Sequence, residues 1–210
     1  MYPPAIFTVT DTAELHALLK AAGLGTLVTA GAGAICATHV PFYFDPGANV
    51  LRGHVSRRNP QIAAGDGGHA LVLFQTLEAY VTPSWYPSKA RHGKVAPTWN
   101  YEFLHVHGRV TWIEDREWLL RNVTEISDKH EAGEDDPWKV SDAPVDFVEG
   151  LLAGITGVEI AVDKIECRRK LSQHSSAADR EGVIEGLSQR EDPASRAVSD
   201  AMRSHYPKPV

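Results

Sequence analysis

The densest chemistry in this sequence lies in Gly53-His54-Val55-Ser56-Arg57-Arg58-Asn59-Pro60-Gln61. A hydroxyl, two guanidinium groups and two amides gather where a strand-like run, Asn49 to Val55, gives way to Asn59-Pro60, a helix start with proline preset for the first turn. Arginine forks and first-turn amides both suit an oxyanion such as phosphate. The plain alternative is that Asn59 only caps a helix and the arginines are solvated.

A second concentration runs from Val81 to Trp112 and holds Trp85, Trp99 and Trp112 among the chain's 5 tryptophans. Two arms rich in aromatic, β-branched and hydroxyl residues, Val81 to Tyr86 and Val95 to Trp112, flank the polar loop from Pro87 to Lys94 and predict two strands with a long connection. Pro83 and Pro97 exclude a central ladder position, so the arm ends belong on an edge or in a loop, with backbone groups open to a ligand. The competing reading is that the aromatics are core. From Trp99 to Phe103 the apolar residues are odd-numbered, and from Leu104 to Trp112 they are even-numbered. That change of phase predicts a bulge near Phe103 and Leu104, or passage of the strand into a different packing environment.

His105-Val106-His107 puts two imidazoles on one side of a strand, a pair able to ligate a metal, although no third ligand stands near them in sequence. Cys36 lies in an apolar strand and reads as an inert thiol. Asp135-Asp136 reads as a solvated loop. No nucleophile constellation and no Gly-x-Gly-x-x-Gly fingerprint is present, so a nicotinamide partner would dock without a Rossmann fold.

The elements that must position these groups are legible in part. Asp11 and Glu14 make a capping box for a helix carrying Leu15, Leu18 and Leu19, which Gly23 stops. Gly25 to Thr29 and Ala34 to Phe44 follow as strands about a Gly-Ala-Gly turn, Pro41 marking a bulge or edge. Ala70 to Gln75 is apolar on both parities and predicts a strand buried on both faces. Asp115 caps a helix, Val145 to Leu152 is a short helix, and Gly157 to Ile165 is a closing strand. Ser176 and Asp192-Pro193 begin two final helices. Strands without strand-helix alternation favour an antiparallel Greek-key barrel, mainly β with peripheral helices.

At 210 residues with net charge −6, the chain has no face-wide cationic excess for nucleic acid. Cys36 and Cys167 lie far apart, which fits a reducing cytosol. The first residues have neither a basic region nor a long apolar run, so the expectation is a cytoplasmic protein with no membrane span. The expected organisation is a barrel over residues 1–175 and a helical extension over 176–210.

Several segments carry a resemblance in order along the chain. Met1-Tyr2-Pro3-Pro4, Gly25 to Thr29, Ala37 to Phe42, Gly53 to Gln61, Tyr80 to Tyr86, Val95 to Tyr101, His105 to Arg109, Pro137-Trp138, Leu151 to Gly157 and Lys170 to Gln173 resemble the PaiB family of FMN-binding negative transcriptional regulators. The resemblance implies an FMN-binding split barrel of the pyridoxamine phosphate oxidase-like kind, a homodimer with flavin at the subunit interface. It implies that Thr38, His39, Ser56, Arg57, Arg58 and Asn59 hold the FMN phosphate and ribityl chain, with His54 also among the cofactor-binding residues. The resemblance likewise implies that Ser84, Trp85, Tyr86, Thr98, Trp99, Asn100 and Tyr101 meet the isoalloxazine, and that Lys170, Ser172 and Gln173 close the site.

Three functions follow from that resemblance. One is a flavin-binding regulator, acting indirectly because the chain is acidic and lacks a helix-turn-helix signature. Another is an FMN-dependent oxidoreductase with a small-molecule substrate or nicotinamide reductant. The third is a haem-binding or haem-degrading split barrel, with His105, His107 or His130 as ligands.

Overall fold

The computed structural model describes residues 4–31 and 34–206. Eight strands make one sheet: β1 (Thr8–Val9), β2 (Leu24–Gly31), β3 (Ala34–Pro41), β4 (Tyr43–Asp45), β5 (Val50–Ser56), β6 (His69–Val81), β7 (Thr98–Ile113) and β8 (Ile155–Lys170). Their order is β3-β2-β6-β7-β8-β5-β4, with β1 beside β8. The helices are α1 (Thr12–Ala21), α2 (Pro87–His92), α3 (Arg116–Glu131), α4 (Val145–Ala153), α5 (Ala177–Ser188) and α6 (Pro193–His205). This is the mainly β, antiparallel architecture with peripheral helices that the pattern predicts. The Gly-Ala-Gly turn falls on residues 31–33, and 32 and 33 lie outside the described residues, as do residues 1–3 of the N-terminal motif.

Two compact units divide the chain: Met1–Asp11, Gln75–Leu104 and Glu166–Val210 form one, and Thr12–Phe74 with His105–Ile165 form the other. We call them the first and second unit. In the second, β2 pairs antiparallel with β3 from Leu24↔Pro41 to Gly31↔Ala34, and with β6 from Thr26↔Leu73 to Thr29↔Ala70. Strand β5 lies between β4 and β8, with Val55 opposite Thr156. The apolar core there includes Leu27, Val40, Phe42, Leu51, Phe74 and Ile160, all at most 2% exposed. Pro41 ends β3, an outer strand of the sheet, where a missing N–H costs no ladder bond. Arg52 is buried in this unit and held by Asp45, Glu125 and Glu159, so its charge is paired rather than stranded.

The first unit has its own core. Ala79, Val81 and Leu171 pack with Val183, Ile184 and Leu187 of α5 and Val198 and Met202 of α6. Helix α5 is capped by Ser176, whose Oγ accepts the Asp179 amide at 3.2 Å, and α6 by Asp192, whose carboxylate accepts the Ser195 amide at 2.7 Å.

Three local expectations need correction. Strand β7 has no change of phase: the even-numbered residues from Asn100 to Val110 are buried throughout. The face that changes is chemical, since Asn100 and Glu102 are buried polar residues and Leu104 and Val106 buried apolar ones, which is the change of packing environment rather than the bulge. Strand β6 alternates, with Ala70, Val72 and Phe74 buried and Leu71 and Leu73 only half-buried, so it is not buried on both faces. The polar connection after Tyr86 is ordered, with Pro83–Trp85 a 3-10 turn, Pro87–His92 the helix α2, and Gly93 in the left-handed conformation that stops it.

Candidate functional site

In the second unit, the end of β5 and the 3-10 turn Pro60–Ala64 meet β3. Thr38, Ser56, Arg58 and Asn59 line a concavity of about 450 Å³ together with Cys36 and Gln61. Its geometry rests on Gln61, 2% exposed. The Gln61 Oε1 accepts the Thr38 hydroxyl at 2.5 Å, while its amide donates to Thr29 Oγ1 at 3.0 Å and to the carbonyls of Leu27 and Cys36 at 3.3 Å. Asn59 Nδ2 donates to Thr38 Oγ1 at 2.9 Å and its Oδ1 accepts the Gln61 amide at 2.9 Å. Asn59, Thr38 and Gln61 thus fix one another, the Gln61 amide ties them to β2 and β3, and Asn59 Nδ2 carries a second N–H.

One expectation about this corner changes. The first-turn amides are already used: Pro60 has none, Gln61 gives its own to Asn59 Oδ1, and Ile62 donates to the Asn59 carbonyl at 3.2 Å. Arg57 N–H donates to the Gly154 carbonyl at 2.9 Å and Arg58 N–H to Ser56 Oγ at 3.3 Å. An oxyanion here meets side chains, the Arg58 guanidinium and the Ser56 O–H, rather than a helix terminus.

The other corner residues point elsewhere. Arg57 is exposed and outside the lining of this concavity. His39 is exposed and its Nδ1 lies 3.0 Å from Thr26 Oγ1, on the opposite side of β3 from Thr38. His54 is half-buried and lines a separate apolar concavity of about 230 Å³ with Val123, Trp138, Phe147 and Leu151. Its Nδ1 is 3.5 Å from Asn122 Nδ2, and burial lowers the imidazole pKa below its usual value.

The remaining predicted residues lie in the first unit and separate into two roles. Asn100 and Ser172 are fully buried, with Asn100 Nδ2 donating to Ser172 Oγ at 3.0 Å and lying 3.3 Å from Met202 Sδ; they brace β7 against α6 and present no atom to a ligand. Gln173 spans its own turn, accepting from Leu171 N–H at 2.7 Å and donating to the Arg169 carbonyl at 2.7 Å. Trp85 packs on α5, as the core reading of the aromatics expected, under the Arg190 guanidinium at 4.8 Å. Ser84 is exposed and accepts from Lys89 Nζ at 3.3 Å.

Thr98, Trp99, Tyr101 and Lys170 form an accessible face. Trp99 is 50% exposed and stands edge-on to Tyr80, ring centres 5.9 Å apart. Lys170 Nζ donates to Thr98 Oγ1 and to the Trp99 carbonyl at 2.9 Å and sits 6.0 Å from the Tyr101 ring. Burial, then the neighbouring Arg168 charge, lowers the Lys170 pKa. Tyr86 is half-buried, its phenol pushed up by burial and by Asp179. His105 and His107 share one face of β7, both half-buried, whereas His130 lies on α3 against Gly23.

The family model described as "Putative FMN-binding domain" matches residues 1–164. The chain belongs to this FMN-binding family. Its likeness to the PaiB proteins holds over the whole chain, which is 32% identical across 213 residues to the protease synthase and sporulation protein PAI 2 of Bacillus subtilis, with all of both chains covered. Among solved structures, the flavocytochrome Anf3 from Azotobacter vinelandii matches with a TM-score of 0.60 at 14% identity, over 83% of this chain and 75% of that one. The FAD and heme binding protein from Mycobacterium smegmatis matches at 0.55 and 17% identity, over 83% and 78%. At such identities these two show the fold alone, a split barrel. The cofactor that membership of the FMN-binding family assigns is FMN, and the donor set of the second-unit corner fits its phosphate: a guanidinium, a hydroxyl and a spare amide N–H, with no carboxylate lining the concavity.

Proposed function

We propose that this protein binds FMN as a flavin-linked regulatory sensor and acts on transcription indirectly. The observation that carries the reading is the Gln61-braced corner, where Arg58, Ser56 and Asn59 converge on one concavity of phosphate-accepting chemistry. Bound FMN supplies hydride or electron chemistry, and the chain's own residues bind and orient it. In the cytoplasmic homodimer we propose, one chain supplies the corner and its partner the flat face of Trp99 and Tyr101, with the Lys170 ammonium as a donor near the ring. Two cysteines, Cys36 and Cys167, far apart in the sequence, agree with a reducing compartment. A net charge of −6 favours an indirect effect over direct DNA contact.

Flavin titration of the apoprotein tests this reading. Saturation at one FMN per chain, with sedimentation at dimer mass, is the expected result; no saturable flavin binding would overturn it. Screening NADH and NADPH oxidation on the loaded protein separates the sensor from an FMN-dependent oxidoreductase acting on a small molecule.

A further inference from the structure

The first unit contains a cavity of about 600 Å³ that the flavin reading leaves largely unused. Arg91, His92 and Lys94 line it from α2 and the turn after it, and His174, Ser175 and Ser176 from the segment leading into α5. Its acid, Asp179, is 8% exposed and already committed: its carboxylate accepts the Ser88 amide at 3.0 Å and the Ser176 hydroxyl at 2.8 Å. That anchor fixes α2 against α5. Gly182 and Gly186 tighten it, since a Cβ at either would lie 2.0 Å from the Trp85 carbonyl oxygen or 2.3 Å from its ring.

We propose that this cavity is a second anion site, sharing no lining residue with the phosphate corner, that takes the phosphate end of a small phosphorylated molecule. Two permanent cations, Arg91 and Lys94, and the imidazoles of His92 and His174 share a space of small-ligand size with Ser175, while the lone carboxylate, Asp179, takes the Ser88 amide and the Ser176 hydroxyl and lies within the field of Arg91. Val95, Ala96 and Pro97 give the remaining wall an apolar surface for the body of such a molecule. The local field agrees. Burial and the Lys170 charge hold the His174 imidazole low, and burial and Arg168 hold Lys170 low, so two cations outside the lining add positive potential behind His174. An anion offsets that potential. The other groups facing His174 are the Phe7 ring, 5.8 Å away, and the Asp179 carboxylate across the cavity.

Calorimetric titration of the FMN-loaded protein with inorganic pyrophosphate and, separately, ADP-ribose tests the site. Saturable binding is expected, together with an upward move of the His174 pKa followed by NMR. The double variant Arg91→Ala/Lys94→Ala should weaken binding by about tenfold or more, on the scale of lost charge-assisted contacts, and leave FMN affinity unchanged. ADP-ribose binding tighter than pyrophosphate assigns the site to a nucleotide, and equal affinity to a free phosphate. Absence of binding by both probes, equal affinity in the double variant, or displacement of FMN by pyrophosphate would overturn the proposal. Should FMN itself fail to bind, the flavin reading falls while this titration, run on the flavin-free chain, still decides.

Discussion

The side chain of Gln61 lies beneath Thr38 and accepts its hydroxyl proton at 2.5 Å, so a residue at the start of a 3-10 turn sets the orientation of a residue on β3. The same amide holds Thr29 Oγ1 and two strand carbonyls in a site 2% exposed. Gln61→Ala strands these groups in the interior, and each buried unsatisfied group costs about 1–3 kcal/mol. Denaturant unfolding should report a loss of at least that size with an unchanged m-value. FMN affinity should fall with it, because Thr38 and Asn59 lose their common brace.

Arg58 lines the corner concavity and Arg57 does not. Sequence alone gives no reason to rank two adjacent arginines; the register of the turn after β5 does. Arg58→Ala should weaken FMN binding by about 1.5–3 kcal/mol, the range for a hydrogen bond to a charged group. Arg57→Ala should cost clearly less. Fluorescence titration of the two variants side by side decides, and equal losses would place the phosphate outside this concavity.

How much was readable beforehand differs by residue. That Ser56, Arg58 and Asn59 share one corner was legible because hydroxyl, guanidinium and amide types stand close together in sequence, and the helix starts because Asp115, Ser176 and Asp192 carry capping chemistry. No bulge interrupts β7, because Asn100 and Glu102 occupy interior positions as satisfied polar groups that apolar alternation does not count: Asn100 with Ser172, Glu102 with Thr76 and Arg169. No local pattern reveals that, since the partners lie 72, 26 and 67 positions away. Gln61 escaped as a site residue for the same reason, its partners being on β2 and β3. The Arg91–Lys94 segment read as an open loop because the carboxylate that anchors its helix, Asp179, comes 91 positions after Ser88.

Glycines in two helices give a paired test of packing. A methyl at Gly182 would meet the Trp85 carbonyl oxygen at 2.0 Å, and one at Gly186 the Trp85 ring at 2.3 Å, while Gly150 of α4 has nothing within 4 Å. Alanine favours a helix over glycine by about 0.5–1 kcal/mol, so Gly150→Ala should stabilise by that much. Overpacking costs about 1–3 kcal/mol and should outweigh that gain at both other positions. The larger loss belongs to Gly182→Ala, because backbone yields less readily than a ring. Thermal unfolding of the three variants checks both the signs and the order.

His54 makes stability depend on pH in a direction that can be worked out. Burial lowers its folded pKa below the ordinary 6.5, so above that value both folded and unfolded chains hold it neutral and it contributes no slope. As pH falls through 6.5 the unfolded chain takes up the proton first, and the folded state loses stability until pH reaches the lower folded pKa. His174, lowered by burial and by Lys170, acts in the same direction. The acids Asp45 and Asp192, held below 3.8 chiefly by backbone hydrogen bonds, act only at more acidic pH. His54→Gln should therefore flatten the fall in unfolding free energy of the flavin-free protein as pH drops below the ordinary 6.5, without changing it above neutrality. A variant with the wild-type slope would show that His54 is as readily protonated in the folded chain as in the unfolded one.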